Sequence, residues 1–194
     1  MDIEKICNIL NNGGIVITPT DTVYGVMGDA LNEAVIRRVY EVKRRPFTKP
    51  LLLLVSSFEM LLDYVLDITD NERELLQKFR GVTIILKKNN KISNLITSGN
   101  DTVGIRIPDD EDLIRIIERL NRPVISSSAN ISDEEVITSI SMLDEELKSN
   151  IDYIYDGGEI ISSSSTIVKF SDDKLVILRE GKYCEEIKKY FNTN

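Results

Sequence analysis

At 194 residues and 22.0 kDa, with 42% hydrophobic and 29% charged residues, the chain can bury a sizeable core and falls outside the disordered and fibrous classes. A formal net charge of -8 disfavours broad attachment to nucleic acid, whose non-specific affinity comes mainly from Lys and Arg neutralising phosphates, although a local basic site stays open. The chain has no histidine, which removes Ser-His-Asp triads, imidazole general bases and His-containing metal sites at once.

The N-terminus, Met1-Asp2-Ile3-Glu4, lacks the basic and apolar regions of a signal peptide, and the longest apolar stretch, Leu51 to Val55, is too short to span a bilayer. A cytoplasmic protein without membrane contact is expected, with residues 1–194 as a single domain and disorder confined to the last few residues. Cys7 and Cys184 stand at opposite ends without metal or redox spacing, and Cys7 shares helical spacing with Ile3, Ile6 and Leu10, as a core residue would.

Apolar spacing predicts a helix over 2–12 that stops at Gly13-Gly14, followed by a core strand from Ile15 to Thr18. A second helix over 32–44 should end near Arg45, because the residue before a proline is biased away from the helical region. "PLLLLV" reads as a buried strand, and 57–66 and 69–79 as helices, the second capped by Thr69 or Asp70. "GVTIILKK" and "DTVGIRIP" are further strands; in the latter Val103, Ile105 and Ile107 share one face and leave Gly104 and Arg106 on the other. A helix over 110–120, the strand "RPVISSSAN", a helical segment over 139–149, strands "IDYIY", "STIVKF" and "KLVILRE", and a closing helix over 183–191 complete the chain. The alternation predicts an α/β fold, with helices covering a mixed sheet.

Several strands deliver hydroxyls or cations at or beside their ends: Thr20 and Thr22 after the first, Ser126 to Ser128 later, Ser165 and Thr166 later still. In open α/β sheets ligands bind near strand ends, so these loops are candidates to converge. Each piece has a plainer reading. Pro19-Thr20-Asp21-Thr22 suits a turn bonded to its own backbone, Lys43 to Lys49 suits a solvated helix end, Arg106 suits a solvent-facing charge, and Ser162 to Ser165 suits a flexible loop. The cationic run would equally suit a triphosphate, with Arg as a fork and Lys as a point charge. A P-loop is excluded, because no Gly-Lys-Ser or Gly-Lys-Thr follows a glycine-rich turn.

Taken in order, "PTDTVYGV", "VKRRPFTKPL", "DTVGIRIPDD", "SSSANIS", "DGG", "SSTIV" and "ILREG" resemble the YrdC/TsaC-type L-threonylcarbamoyladenylate synthases, from about residue 10 to about residue 182. Any one piece is unspecific; the ordered set is not. The resemblance implies an open, twisted, mixed β-sheet covered by helices, with a large concave surface. It implies a short form that makes threonylcarbamoyl-AMP and pyrophosphate from ATP, L-threonine and bicarbonate, for a tRNA modification completed by partner proteins. Magnesium is expected with ATP, and Asp21 is the nearest candidate carboxylate. This chemistry suits a chain without histidine. The threonine amine is the nucleophile towards carbon dioxide or bicarbonate, and the carbamate oxygen then attacks the α-phosphate.

Carried over by motif, the resemblance implies that Lys43, Arg45, Lys49, Thr102, Ser128 and Arg179 face ATP, and that Thr22, Arg106, Ser126 and Ser165 face threonine, with Thr20, Asp21, Tyr24 and Asn130 in support. Four positions depart from the family pattern: Phe79-Arg80-Gly81 in place of Pro-Gly-Pro, with Arg80 expected close to the nucleotide; Leu54 where histidine is common; Ser127 for threonine; and Asp133 for glycine. Two rival readings remain: a paralogue serving another carbamoyl transfer, and a non-catalytic module with weak RNA binding.

Overall fold

The structure, a computed structural model, describes residues 1–191. The disorder expected of the last few residues, and the final three residues of the expected domain, lie outside that range. The first helix, α1 (Ile3–Asn11), is opened by Asp2, whose side chain accepts from the Lys5 amide, and Gly13 follows it at φ +77, where a side chain would be strained. Strands β1 (Val16–Thr18) and β2 (Gly25–Asp29) then form an antiparallel pair around the hydroxyl-rich loop. The next elements are α2 (Glu33–Val42), β3 (Leu52–Leu54), α3 (Phe58–Leu62) and α4 (Asp70–Lys78), the last begun by a Thr69–Glu72 capping box. They are followed by β4 (Thr83–Lys87), α5 (Asn94–Thr97), β5 (Thr102–Arg106), α6 (Glu111–Leu120) and β6 (Val124–Ser128). The chain ends with α7 (Glu145–Ser149), β7 (Tyr153–Ile154), β8 (Ile167–Ser171), β9 (Lys174–Arg179) and α8 (Cys184–Tyr190).

Among the described residues nine strands join one sheet in the order β7-β1-β2-β6-β3-β5-β4-β8-β9. Three parallel pairs (β1 with β7, β3 with β5, β4 with β8) stand among antiparallel ones, so the sheet is mixed, as expected. Successive side chains in a strand point to opposite faces, and cross-strand partners share a face. Ile17, Val26, Leu53, Ile84, Ile105 and Ile125 belong to the larger core, with Val35, Ile36 and Val39 of α2 and Leu75 of α4. Val16, Met27, Leu54 and Val124 point the other way and are covered by α1 and α6. Further along that second face the register brings Gly25 opposite Ser128, Leu52 opposite Ser126 and Gly104, and Arg106 opposite Leu54 and Thr83. This part of the sheet carries small and polar residues in place of a core, and the site lies there.

Some expected boundaries shift. The helix over 57–66 closes at Leu62, and the segment over 139–149 splits into a 3-10 turn at Ile140–Met142 and α7, because Asp144 caps a new start. Strand β2 and the short α5 are absent from the expected elements. Two glycines make β2 a poor strand by propensity, yet Gly28 has a packing reason: a Cβ there would lie 2.5 Å from Val35 Cγ1, so only glycine lets α2 approach the sheet.

Candidate active site

A cavity of about 220 Å³ opens on this polar end of the sheet, lined from the β1–β2 loop, the segment before β3, and the ends of β5, β6 and β9. Its first wall answers why so many hydroxyls follow β1. Thr20 Oγ1 accepts from the Thr22 and Val23 amides and donates to the Val23 carbonyl at 2.7 Å, which makes the turn. Thr22 Oγ1 is 3.0 Å from Thr20 Oγ1 and accepts from Arg106 Nη1 at 3.0 Å. Because guanidinium only donates, the proton order runs from Arg106 to Thr22 to Thr20. The plain turn and the functional wall are one structure, and Thr22 joins them.

Arg106 is 2% exposed and lines the cavity. Its Nη1 also lies 3.1 Å from Asp21 Oδ1, a charge contact without the alignment of a hydrogen bond, and its Nε has no hydrogen-bond partner among the described residues. A guanidinium at a cavity wall is the side chain best suited to a carboxylate or phosphate, which it can hold through a two-pronged fork. The other carboxylate oxygen of Asp21 accepts from the Asp109 amide at 3.2 Å. That packing needs Gly81, which sits at φ +79 and whose Cβ would fall 2.8 Å from Asp21 Oδ2.

The opposite wall comes from β6. Ser126, Ser127 and Ser128 line the cavity, and Ser128 Oγ donates to Asn130 Oδ1 at 2.5 Å, while Asn130 Nδ2 donates to the Glu134 carbonyl. Lys43 lies beneath, 1% exposed, with its ammonium on the carbonyls of Ser128 and Asn130. Burial, and secondarily the charge of Arg45, pull the Lys43 ammonium down to about 7. At the far side Ser165 Oγ meets Thr83 Oγ1 at 2.8 Å, and Arg179 binds both the Ser165 carbonyl and hydroxyl. Arg45 reaches the cavity while fastening its own loop to the carbonyls of Lys49 and Pro50.

Arg45, Arg106 and Arg179 therefore share one cavity, with Asp21 as the nearby carboxylate. Burial lowers the pKa of all three, and Arg106 further lowers that of Arg179. This is an excess of confined positive charge, which a polyanion would relieve.

Of the residues expected to face ATP, Arg45, Ser128 and Arg179 line the cavity, and all four expected to face threonine do: Thr22, Arg106, Ser126 and Ser165. Thr20 is also in the wall, whereas Tyr24 stands behind it. The Tyr24 hydroxyl donates to the Gly158 carbonyl at 2.7 Å and accepts from the Gly157 amide at 2.9 Å, holding the "DGG" loop. Three placements differ from expectation. Lys43 supports the β6 loop from below and does not reach the cavity, because its ammonium is enclosed by two carbonyls. Lys49 lies outside the lining, ion-paired with Asp133. Thr102 shares the face of Arg106 but lies at the other end of β5, four residues and about 13 Å away along the strand. Arg80 is exposed beside Asp109 and Tyr183, away from the cavity, and Leu54 is buried under α6. Thr83 and Gly25 were not anticipated: Thr83 anchors Ser165, and a Cβ on Gly25 would come within 3.2 Å of Ser126 Oγ. The register opposite Arg106 and Ser128 exposes both roles, and register is not written in either residue.

Asp21 is engaged by Arg106 and the Asp109 amide, and among the described residues no group of three or more Cys, Asp or Glu side chains could hold an ion. Among the described residues no helix is long and apolar enough to cross a membrane.

Fold and site together define an α/β protein with an arginine-rich, hydroxyl-lined pocket at the polar end of its mixed sheet. The chain belongs to the Sua5/YciO/YrdC family, whose model, described as "Telomere recombination", matches residues 8–181. A relative from Methanocaldococcus jannaschii, provisionally named a threonylcarbamoyl-AMP synthase, is 41% identical over 88% of this chain and 81% of its own. The threonylcarbamoyl-AMP synthase of Pyrococcus abyssi is 36% identical over 96% of this chain and 56% of its own. The crystal structure of P. abyssi Sua5 complexed with L-threonine superposes with a TM-score of 0.90 at 34% identity, over 96% of this chain and 56% of that one. The chain thus spans little more than half the length of the P. abyssi proteins.

Proposed function

We propose that the chain is an L-threonylcarbamoyladenylate synthase, a nucleotidyltransferase that makes threonylcarbamoyl-AMP and pyrophosphate from L-threonine, bicarbonate and ATP. The observation that carries this reading is the meeting, in one cavity, of Arg106 with Thr22, Ser126 and Ser165 next to Arg45 and Arg179. The likeness to a synthase crystallised with L-threonine supports it. Arg106 takes the threonine carboxylate through its cavity-facing guanidinium, while Thr22, oriented by Arg106 and Thr20, faces the rest of the amino acid. The neutral threonine amine adds to carbon dioxide with loss of a proton, or to bicarbonate with loss of water, and a carbamate oxygen then attacks the α-phosphate, with pyrophosphate leaving in line. The protein supplies alignment and stabilises the developing phosphate charge through Arg45 and Arg179, work that needs no histidine.

Magnesium, in this reading, arrives on the phosphates of ATP. Thr102 remains a proposed contact for the far end of the nucleotide. The product would pass, in the cytoplasm, to partner proteins that complete the tRNA modification. Pyrophosphate release that needs both threonine and bicarbonate, with the adenylate identified by mass spectrometry, tests the assignment. ATP turnover indifferent to both would overturn it.

A further inference from the structure

Asp133 occupies left-handed backbone at φ +72, a conformation that Asp and Asn enter more readily than other side-chain-bearing residues. Its loop is held in place from below: the Ser132 amide donates to the Lys43 carbonyl at 2.9 Å, and the Lys43 ammonium donates to the Asn130 carbonyl at 2.5 Å. The carboxylate is thereby presented to Lys49, which it engages in an ion pair, and a hydrogen bond from Lys49, with its charge and more distantly that of Arg45, holds the carboxyl below the usual range. The Lys49 backbone is fixed by Tyr40 and Arg45, both donating to its carbonyl, so its side chain alone is free to change partner. Arg45 itself lines the cavity, so the pair stands at the cationic rim where the proposed function puts phosphates.

We propose that Asp133 is an internal counter-anion that occupies Lys49 until a polyphosphate replaces it, and thereby sets the affinity and the metal preference of the nucleotide site. This rests on the ATP-using reading above. On exchange Lys49 turns to phosphate and the freed carboxylate is left beside a polyanion. The repulsion falls hardest on metal-free nucleotide and is relieved when a divalent ion neutralises part of the phosphate charge.

The test is calorimetric titration of the full chain with ATP, with and without magnesium, for the wild type, Asp133→Asn and Asp133→Gly. Asn keeps access to the left-handed region and Gly relaxes it, so neither variant strains the loop. Removing the carboxylate should tighten metal-free ATP by roughly 3- to 10-fold, the scale of an exposed ion pair plus one relieved repulsion, and magnesium-bound ATP by less. In a Lys49→Met background the gain should shrink, because no exchange remains to be made. Unchanged or weaker ATP binding by both Asp133 variants, or an undiminished gain without Lys49, overturns the proposal. A wild type that binds ATP yet makes no adenylate removes the synthase reading and leaves this one standing. A wild type that binds neither ATP nor tripolyphosphate removes both.

Discussion

Thr22 closes a polar relay from a buried arginine to the backbone of its own turn, so replacing its hydroxyl leaves Arg106 Nη1 without that acceptor. Leaving a buried donor unpaired costs about 1–3 kcal/mol. Thr22→Val should lower stability by about that amount and, because it also removes the hydroxyl that faces threonine in the proposed site, should raise the threonine KM roughly tenfold; Thr22→Ser should restore most of both, as chemical denaturation and steady-state kinetics with varied threonine would show. Lys43 makes a second prediction at this scale. Its ammonium titrates near 7 in the folded protein against an ordinary value of 10.5. Between those values the unfolded chain binds more protons, so stability rises with pH across that window, while below it the full penalty of the buried charge persists. Urea denaturation at pH 7 and pH 10 should show this rise in the wild type and a smaller one in Lys43→Met. The spacing of Lys43, Arg45 and Lys49 marks a cationic run in the sequence, but not that the first is enclosed by carbonyls, the second enters the cavity and the third pairs with Asp133. The fates of Lys43 and Lys49 depend on a loop more than eighty residues away, which local sequence does not encode.

At the scale of elements, apolar periodicity makes the long helices and the hydrophobic strands legible, including the two faces of β5. It does not reveal β2, where Gly28 serves packing against α2 and Gly25 leaves room beside Ser126 at the cavity. Gly28→Val should force α2 off the sheet and cost about 1–3 kcal/mol, read as a lower midpoint in chemical denaturation. An unchanged midpoint would mean that α2 can retreat without loss. The Tyr24 hydroxyl ties β2 to the Gly157–Gly158 loop by two hydrogen bonds. Its loss in Tyr24→Phe should cost about 1–3 kcal/mol of stability, because the Gly157 amide and Gly158 carbonyl lose their partner. In the sequence Tyr24 stands beside the threonines as if it shared their role; in the fold it supports the loop behind them.

Across the whole molecule, one sheet face changes character along its strands. It is apolar where α1 and α6 cover it, and it turns to glycine, serine and arginine where the cavity opens. The ordered motifs anticipate the convergence of segments far apart in the chain, and the mixed sheet supplies the reason: β2, β6, β3 and β5 are neighbours in space though scattered in sequence. Three arginines brought to one cavity suit an anionic ligand, which joins this architecture to the proposed chemistry. The most direct measurement is mass spectrometry of the purified protein incubated with ATP, L-threonine and isotopically labelled bicarbonate. Labelled threonylcarbamoyl-AMP should appear only when all three are present, and should be lost in Arg106→Ala while the variant still unfolds cooperatively. Failure of the wild type to form that adenylate, or an Arg106→Ala variant that forms it as well as the wild type, would contradict the synthase assignment or the place given to Arg106 within it.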